Sequence, residues 1–96
     1  MNQKVKATLT MDEMLQDRRA THGKFNDHAA YTQEIKAVIR RGVRDRLGNH
    51  PPLSDTQLES LEMIAHKIGR ILAGDASFQD HWDDIAGYAK IANGVD

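Results

Sequence analysis

Between Ser54 and Gly74 the apolar residues of this chain keep a helical period: Leu58, Leu61, Ala65, Ile68 and Leu72 recur every three or four positions. A segment patterned in this way must lay its apolar stripe against other elements. Its limits are marked too. Ser54 with Gln57 three residues on is a capping-box pattern, which predicts a helix from Asp55 to about Ala73. Upstream, Tyr31, Ile35, Val38 and Ile39 share one helical face and predict a longer helix, capped by Asn26 and running to about Leu47. Gly48-Asn49-His50-Pro51-Pro52 stops it, because two prolines cannot extend a helix and glycine suits the position after one. Thr10 caps a short first helix, with Asp12 and Glu13 in its first turn, that breaks at Gly23 within Thr21-His22-Gly23-Lys24. Gly74-Asp75 is a short connection, and Ser77 followed by Asp80 is a second capping signature that predicts a last helix from about Phe78 to Ala92, before Gly94. No segment alternates as a strand does. The pattern predicts an all-α antiparallel bundle of three long helices plus a short N-terminal one.

The chain has 96 residues, enough for one domain, which we place at residues 10–94 behind a polar tail of residues 1–9. A chain of this length hides only roughly 60–65% of its unfolded surface, so self-association through a helical face, as a homodimer, is expected. One Trp, two Tyr and two Phe leave most of the core to aliphatic and alanine contacts. There is no cysteine, which excludes disulfides and thiolate chemistry. The net charge of -1 supplies no global field toward nucleic acid or membrane. The opening residues lack the apolar region of a signal peptide, and no apolar run approaches the ~18 residues of a membrane span. The expected location is the cytoplasm.

Chemistry-bearing residues gather on the last two helices. On a wheel of 3.6 residues per turn with Leu58 at zero, Glu62, His66, Glu59 and Arg70 fall at about 40°, 80°, 100° and 120°. They form one charged stripe beside the apolar face, with Lys67 farther round, near the back. On the final helix Asp80 and Asp84 share a face at i, i+4, next to an apolar face of Trp82, Ile85 and Ala89. If the two helices pack antiparallel, Glu59, Glu62, Asp80 and Asp84 can converge into an all-oxygen site. Such a site suits Mg²⁺, or Mn²⁺, which keeps waters and accepts phosphate oxygens, while Lys67 and Arg70 supply charge toward those phosphates. His66, one turn from Glu62, is the candidate general base. Solvated surface ion pairs account for the same residues from spacing alone, and a half-exposed histidine needs no catalytic role.

Glu59-x-x-Glu62, Lys67-x-x-Arg70 and, after a short turn, Asp80-x-x-x-Asp84 resemble the layout of the all-α nucleoside triphosphate pyrophosphohydrolases of the MazG type. Those proteins set an E-x-x-E helix against an E-x-x-D helix around Mg²⁺ and cleave between the α and β phosphates. The spacing of Asp80 and Asp84 is four rather than three. The run Asp80-His81-Trp82-Asp83-Asp84-Ile85-Ala86-Gly87-Tyr88-Ala89 is similar to a family of small phage and prophage proteins of unknown function, which share K-x-x-R followed by D-x-W-x-D-I-A-G-Y-A. Their upstream R-x-x-x-Y-G-x-F-x-x-N is echoed from Arg19 to His28. The likeness spans most of residues 12–92 and is specific in the last decapeptide. It implies a MazG-like phage or prophage protein, in the host cytoplasm, that binds nucleotide phosphates through Mg²⁺. Glu59, Glu62, Asp80 and Asp84 would then be the metal ligands, Lys67 and Arg70 would hold phosphate, and Glu62 and His66 would serve any hydrolysis.

Other features have blander readings. Gly87, mid-helix, is expected where two helices approach closely, and Trp82 in core or interface packing. His22, His28, His50 and His81 show no ligand spacing. Lys36, Arg40 and Arg44 recur every four residues as a basic ridge. That ridge supports the alternative function, a non-enzymatic module binding a host or phage protein, or nucleic-acid phosphates, through the second helix. Without interleaved aromatics it disfavours nucleic-acid reading, and a solvated helix face is the simplest account.

Overall fold

The structure, a computed structural model, describes residues 10–95; the expected tail at 1–9 lies outside them. Among the described residues four helices follow one another, α1 (Met11–His22), α2 (Phe25–Asp45), α3 (Asp55–Ala73) and α4 (Gln79–Ala92), and they pack as the expected all-α bundle. None is long and apolar enough to cross a membrane. Two starts follow the capping chemistry of the sequence. Thr10 Oγ1 accepts from the Glu13 N–H at 3.1 Å. Ser54 and Gln57 close a full capping box, with both hydrogen bonds at 3.0 Å.

The other two starts do not. α2 begins one residue before Asn26, with Lys24 at the cap and no side-chain bond. α4 begins after Phe78, because Asp75 Oδ1 accepts the Ser77 N–H at 2.9 Å and draws Ser77 into the turn instead. α2 also ends at Asp45, two residues earlier than expected. Beyond it the Arg46 guanidinium donates twice to Pro51 O, at 3.0 and 2.8 Å, and ties the turn across the proline pair.

α3 is the central element. α2 and α4 pack along it without packing on each other, and α1 crosses the end of the α2–α3 pair. The neighbours are antiparallel. Leu58 and Glu62 lie beside Arg40, Val43 and Arg44, while Glu59 and Ser60 lie beside Tyr88 and Ile91. Because α3 is covered on two flanks and not on one stripe, its burial differs from the sequence expectation. Ala65, 1% exposed, is the one buried hydrophobic residue among those described. Leu72, expected on the core side, is 61% exposed, and Leu61 is exposed as well. Lys67, expected near the back, is buried against α4. Trp82, expected in packing, is 52% exposed and is held by its indole N–H, which donates to Ala76 O at 2.8 Å.

Two close approaches set the helix positions. At Gly69, α3 meets α2 so tightly that an added Cβ would strike Thr32 Oγ1 and lie 2.9 Å from His28 Cδ2. At the other, the α1–α2 turn meets the end of α3: a Cβ on Gly74 would lie 2.5 Å from Gly23 N and 2.6 Å from Thr21 O. Gly23 sits at φ 76°, a left-handed conformation that other residues reach only with strain. Gly87, expected at such a contact, is exposed, and a Cβ there would meet nothing within 4 Å.

The two mid-helix glycines therefore respond oppositely to alanine. Gly87→Ala should raise the unfolding free energy by about 0.5–1 kcal/mol, the ordinary helix gain. Gly69→Ala should lower it by about 1–3 kcal/mol through overpacking. Urea unfolding of both variants checks this, and equal effects would contradict the tight α2–α3 crossing.

Candidate anion-binding site

The expected metal ligands are held apart. Glu59 opens onto a concavity shared with Asp55, Thr56, Ser60, Tyr88 and Ile91, on the α4 flank of α3. Glu62 faces Arg40, Val43 and Arg44 on the α2 flank. Asp80 is exposed in the first turn of α4. Asp84 is paired with Lys67, Nζ to Oδ2 at 2.9 Å, and that hydrogen bond holds the Asp84 carboxyl below its ordinary range. Among the described residues no group of three or more His, Asp or Glu side chains is placed to hold a metal ion. As they stand, these four carboxylates do not fit a Mg²⁺ centre.

The Lys67–Asp84 pair has a structural reading instead. Lys67 is buried where α4 lies on α3, so its ammonium needs a partner, and Asp84 provides one from across the interface. Lys67 is thereby taken from the phosphate role expected of it. His66 faces α2, with its ring centroid 5.7 Å from that of His28. Burial, then Lys36 and Arg70, lowers its pKa, while Glu59 acts weakly the other way. No hydrogen bond among the described residues joins His66 to Glu62, so the expected acid–base pair is not assembled.

Arg70 alone of the expected set arrives in a site. It lines a pocket of about 240 Å³ with Leu15, Arg18, Arg19 and His22 of α1, Gly23 of the turn, and Phe25 and His28 of α2. Three arginines and two histidines line it, and no carboxylate is in the lining. Among the described residues the only ion pair is Lys67–Asp84, so none of the three arginines has an acidic partner within 4 Å. Burial, and after it the charge of Arg18, works against the charged form of Arg70; Asp84 and Tyr88 offset this only in part.

The charged forms of both pocket histidines are disfavoured. The His22 pKa is lowered to about 4, first by burial, then by His81, Arg70 and Arg18. The His28 pKa is lowered by burial, then by Arg70 and His66. His28 is 6% exposed, and its Nε2 has no hydrogen-bond partner; Thr32 Oγ1, beside it at the Gly69 crossing, has none either. A buried polar atom without a partner is costly and needs an explanation. Those two atoms belong to the α2–α3 crossing; what suits the pocket to a small anion is a lining with three arginines and no carboxylate.

The sequence reading missed Arg18, Arg19, His22 and His28 as site residues. Their local signal was weak: Arg18 and His22 share a face at i, i+4, but nothing in spacing ties them to Arg70, some fifty positions on.

For His22 the folded pKa, about 4, lies below the ordinary 6.5, so the unfolded chain binds more protons between those values. His28 and His66 are shifted in the same direction. Their contribution to stability should be complete above pH 6.5 and should fall as the pH drops toward 4. Urea unfolding between pH 7 and 4.5 checks this, and His22→Gln should flatten the profile. A wild-type profile that matches His22→Gln would contradict the lowered pKa of the half-buried His22.

Compared with known proteins, the chain matches no family model, no curated protein and no solved structure.

Proposed function

We propose that the chain binds the phosphate of a small phosphorylated ligand, a nucleotide foremost, in the arginine pocket between α1 and α3. The observation that carries the reading is that Arg18, Arg19 and Arg70 line one pocket and none of them has an acidic partner within 4 Å among the described residues. Guanidiniums present planar donor pairs that match phosphate oxygens, so such a cluster gains hydrogen bonds and loses mutual repulsion when phosphate enters. The nucleotide class comes from the resemblance to the MazG-type layout. The metal enters this reading only as the Mg²⁺ that accompanies a nucleoside triphosphate in solution. Because the carboxylates do not fit a metal centre as placed, no hydrolytic step is derived, and the proposal is one of binding.

The test is thermal unfolding with nucleoside triphosphates, nucleoside monophosphates and inorganic phosphate, each with and without Mg²⁺. A ligand that binds only the folded state stabilises it, by about 2.7 kcal/mol at a hundredfold excess over its dissociation constant. Phosphorylated ligands should raise the midpoint without Mg²⁺, and the corresponding nucleosides should not. Arg70→Gln should abolish the shift while leaving the free protein as stable or more so, since it removes one of three unpaired like charges. A strict requirement for Mg²⁺, or a shift untouched by Arg70→Gln, would overturn the pocket as the phosphate site.

A second part of the reading is homodimerisation. Its support is the scarcity of buried hydrophobic side chains, with Tyr31 and Val38 of α2 and Leu61 and Leu72 of α3 left exposed. Tyr31 to Val38 is seven residues, and Leu61, Ile68 and Leu72 follow at seven and four, so each helix carries an apolar stripe in need of cover. Sedimentation should give a dimer that Val38→Lys or Leu72→Lys dissociates; a wild-type monomer would remove this part and leave the pocket untouched. The basic ridge is less favoured as a protein-binding surface, because Arg40 and Arg44 already flank Glu62.

A further inference from the structure

The arginine pocket, at about 240 Å³, is smaller than the roughly 300–1,000 Å³ of sites that enclose a whole drug-sized ligand. It has room for the phosphoryl end of a ligand and not for all of it, so the remainder must lie outside. What lies outside is specific. Phe25 forms part of the wall yet is 74% exposed, the most exposed of the large hydrophobic residues described. Beyond it is a second, more open concavity of about 390 Å³, lined by Arg19, Lys24, Phe25 and Asn26. The two concavities share Arg19 and Phe25 and are therefore adjacent.

Each of these residues is free for a ligand. The Phe25 ring stands nearly edge-to-face against the His28 ring, at 5.8 Å and 66°, which orients it without covering it. Asn26 makes no helix cap, and no hydrogen bond among the described residues uses its amide. Lys24 has no acidic partner within 4 Å among the described residues. An exposed aromatic face flanked by a free amide and a free ammonium is the chemistry that receives a planar, polar-edged ring.

We propose that the ligand is bipartite, a phosphate ester of a planar aromatic base, with its phosphoryl group among Arg18, Arg19 and Arg70 and its ring stacked on Phe25. Lys24 and Asn26 meet the polar edge of that ring. Arg19, common to both concavities, spans the junction between phosphate and ring. This inference rests on the phosphate reading above, and it adds a recognition element that the phosphate alone does not need.

The experiment measures dissociation constants for inorganic phosphate, ribose 5-phosphate and a nucleoside monophosphate, in wild type and in Phe25→Ala, Phe25→Tyr and Arg70→Gln. Phe25 is on the surface, so Phe25→Ala should fold as the wild type does. In wild type the nucleoside monophosphate should bind more tightly than ribose 5-phosphate or inorganic phosphate. Phe25→Ala should weaken the nucleoside monophosphate by about tenfold or more, in line with the loss of one base–aromatic stack, and leave inorganic phosphate unchanged. Phe25→Tyr should restore binding, and Arg70→Gln should weaken all three ligands. If Phe25→Ala leaves the nucleoside monophosphate untouched, or weakens inorganic phosphate as much, the stacking role is overturned while the phosphate reading stands. If no phosphate compound binds the wild type, both are overturned.

Discussion

The last carbonyl arm of α1 holds the site together. A helix ends with carbonyls that have no partner of their own, and α1 presents one of these, Thr21 O, to the α3–α4 turn. Two donors meet it, the Asp75 N–H and His81 Nε2, each at 3.1 Å. A carbonyl only accepts, so His81 carries its proton on Nε2. His81 is fully buried, with the His22 and Phe78 rings against it at 4.7 and 4.9 Å. α1 itself contains no buried residue, so this polar latch and the Gly23–Gly74 contact, more than apolar packing, fix where α1 lies. Arg18 and Arg19 line one pocket with Arg70 because α1 is docked there.

That arrangement sets Arg18 and Arg19 in one pocket lining with Arg70, whose charged form burial opposes, and the fold elsewhere shows how it neutralises a charge when neutrality suffices. Lys67 is buried on the same helix as Arg70 and is matched by Asp84 across the α3–α4 interface. Arg70, one turn on, receives no such match, and its charged form is disfavoured by burial and by Arg18. Two similar cations on one helix thus meet opposite treatment. An acid among the three arginines, or the loss of one of them, would favour stability, and the proposed phosphate site would use the charge that is left unpaired.

The sequence made the helices legible because their punctuation is local chemistry. Ser54 with Gln57, the Gly48-to-Pro52 stop and the break at Gly23 all act within a turn or two of themselves. The misplaced caps have equally local causes that spacing does not reveal: Asp75 claims the Ser77 N–H, and α2 starts before Asn26 without a side-chain cap. The site was legible only at Arg70. A wheel orders residues around α3, but not which flank each neighbour covers. With α4 on one flank and α2 on the other, Glu59 and Glu62 part, Lys67 turns inward and Leu72 turns out. His28 and Thr32, with their unpartnered polar atoms, gain meaning only once Gly69 brings α2 against α3.

If Arg18, Arg19 and Arg70 form the proposed phosphate site, inorganic phosphate binds them without a metal ion. The most direct measurement is an NMR titration that follows the side-chain Nε–H resonances of the arginines as inorganic phosphate is added without divalent metal. Saturable shifts are expected at Arg18, Arg19 and Arg70 with a common dissociation constant, while Arg40, Arg41 and Arg44, toward the other end of α2, stay still. Shifts that are small, linear and spread over all arginines would contradict the proposed site.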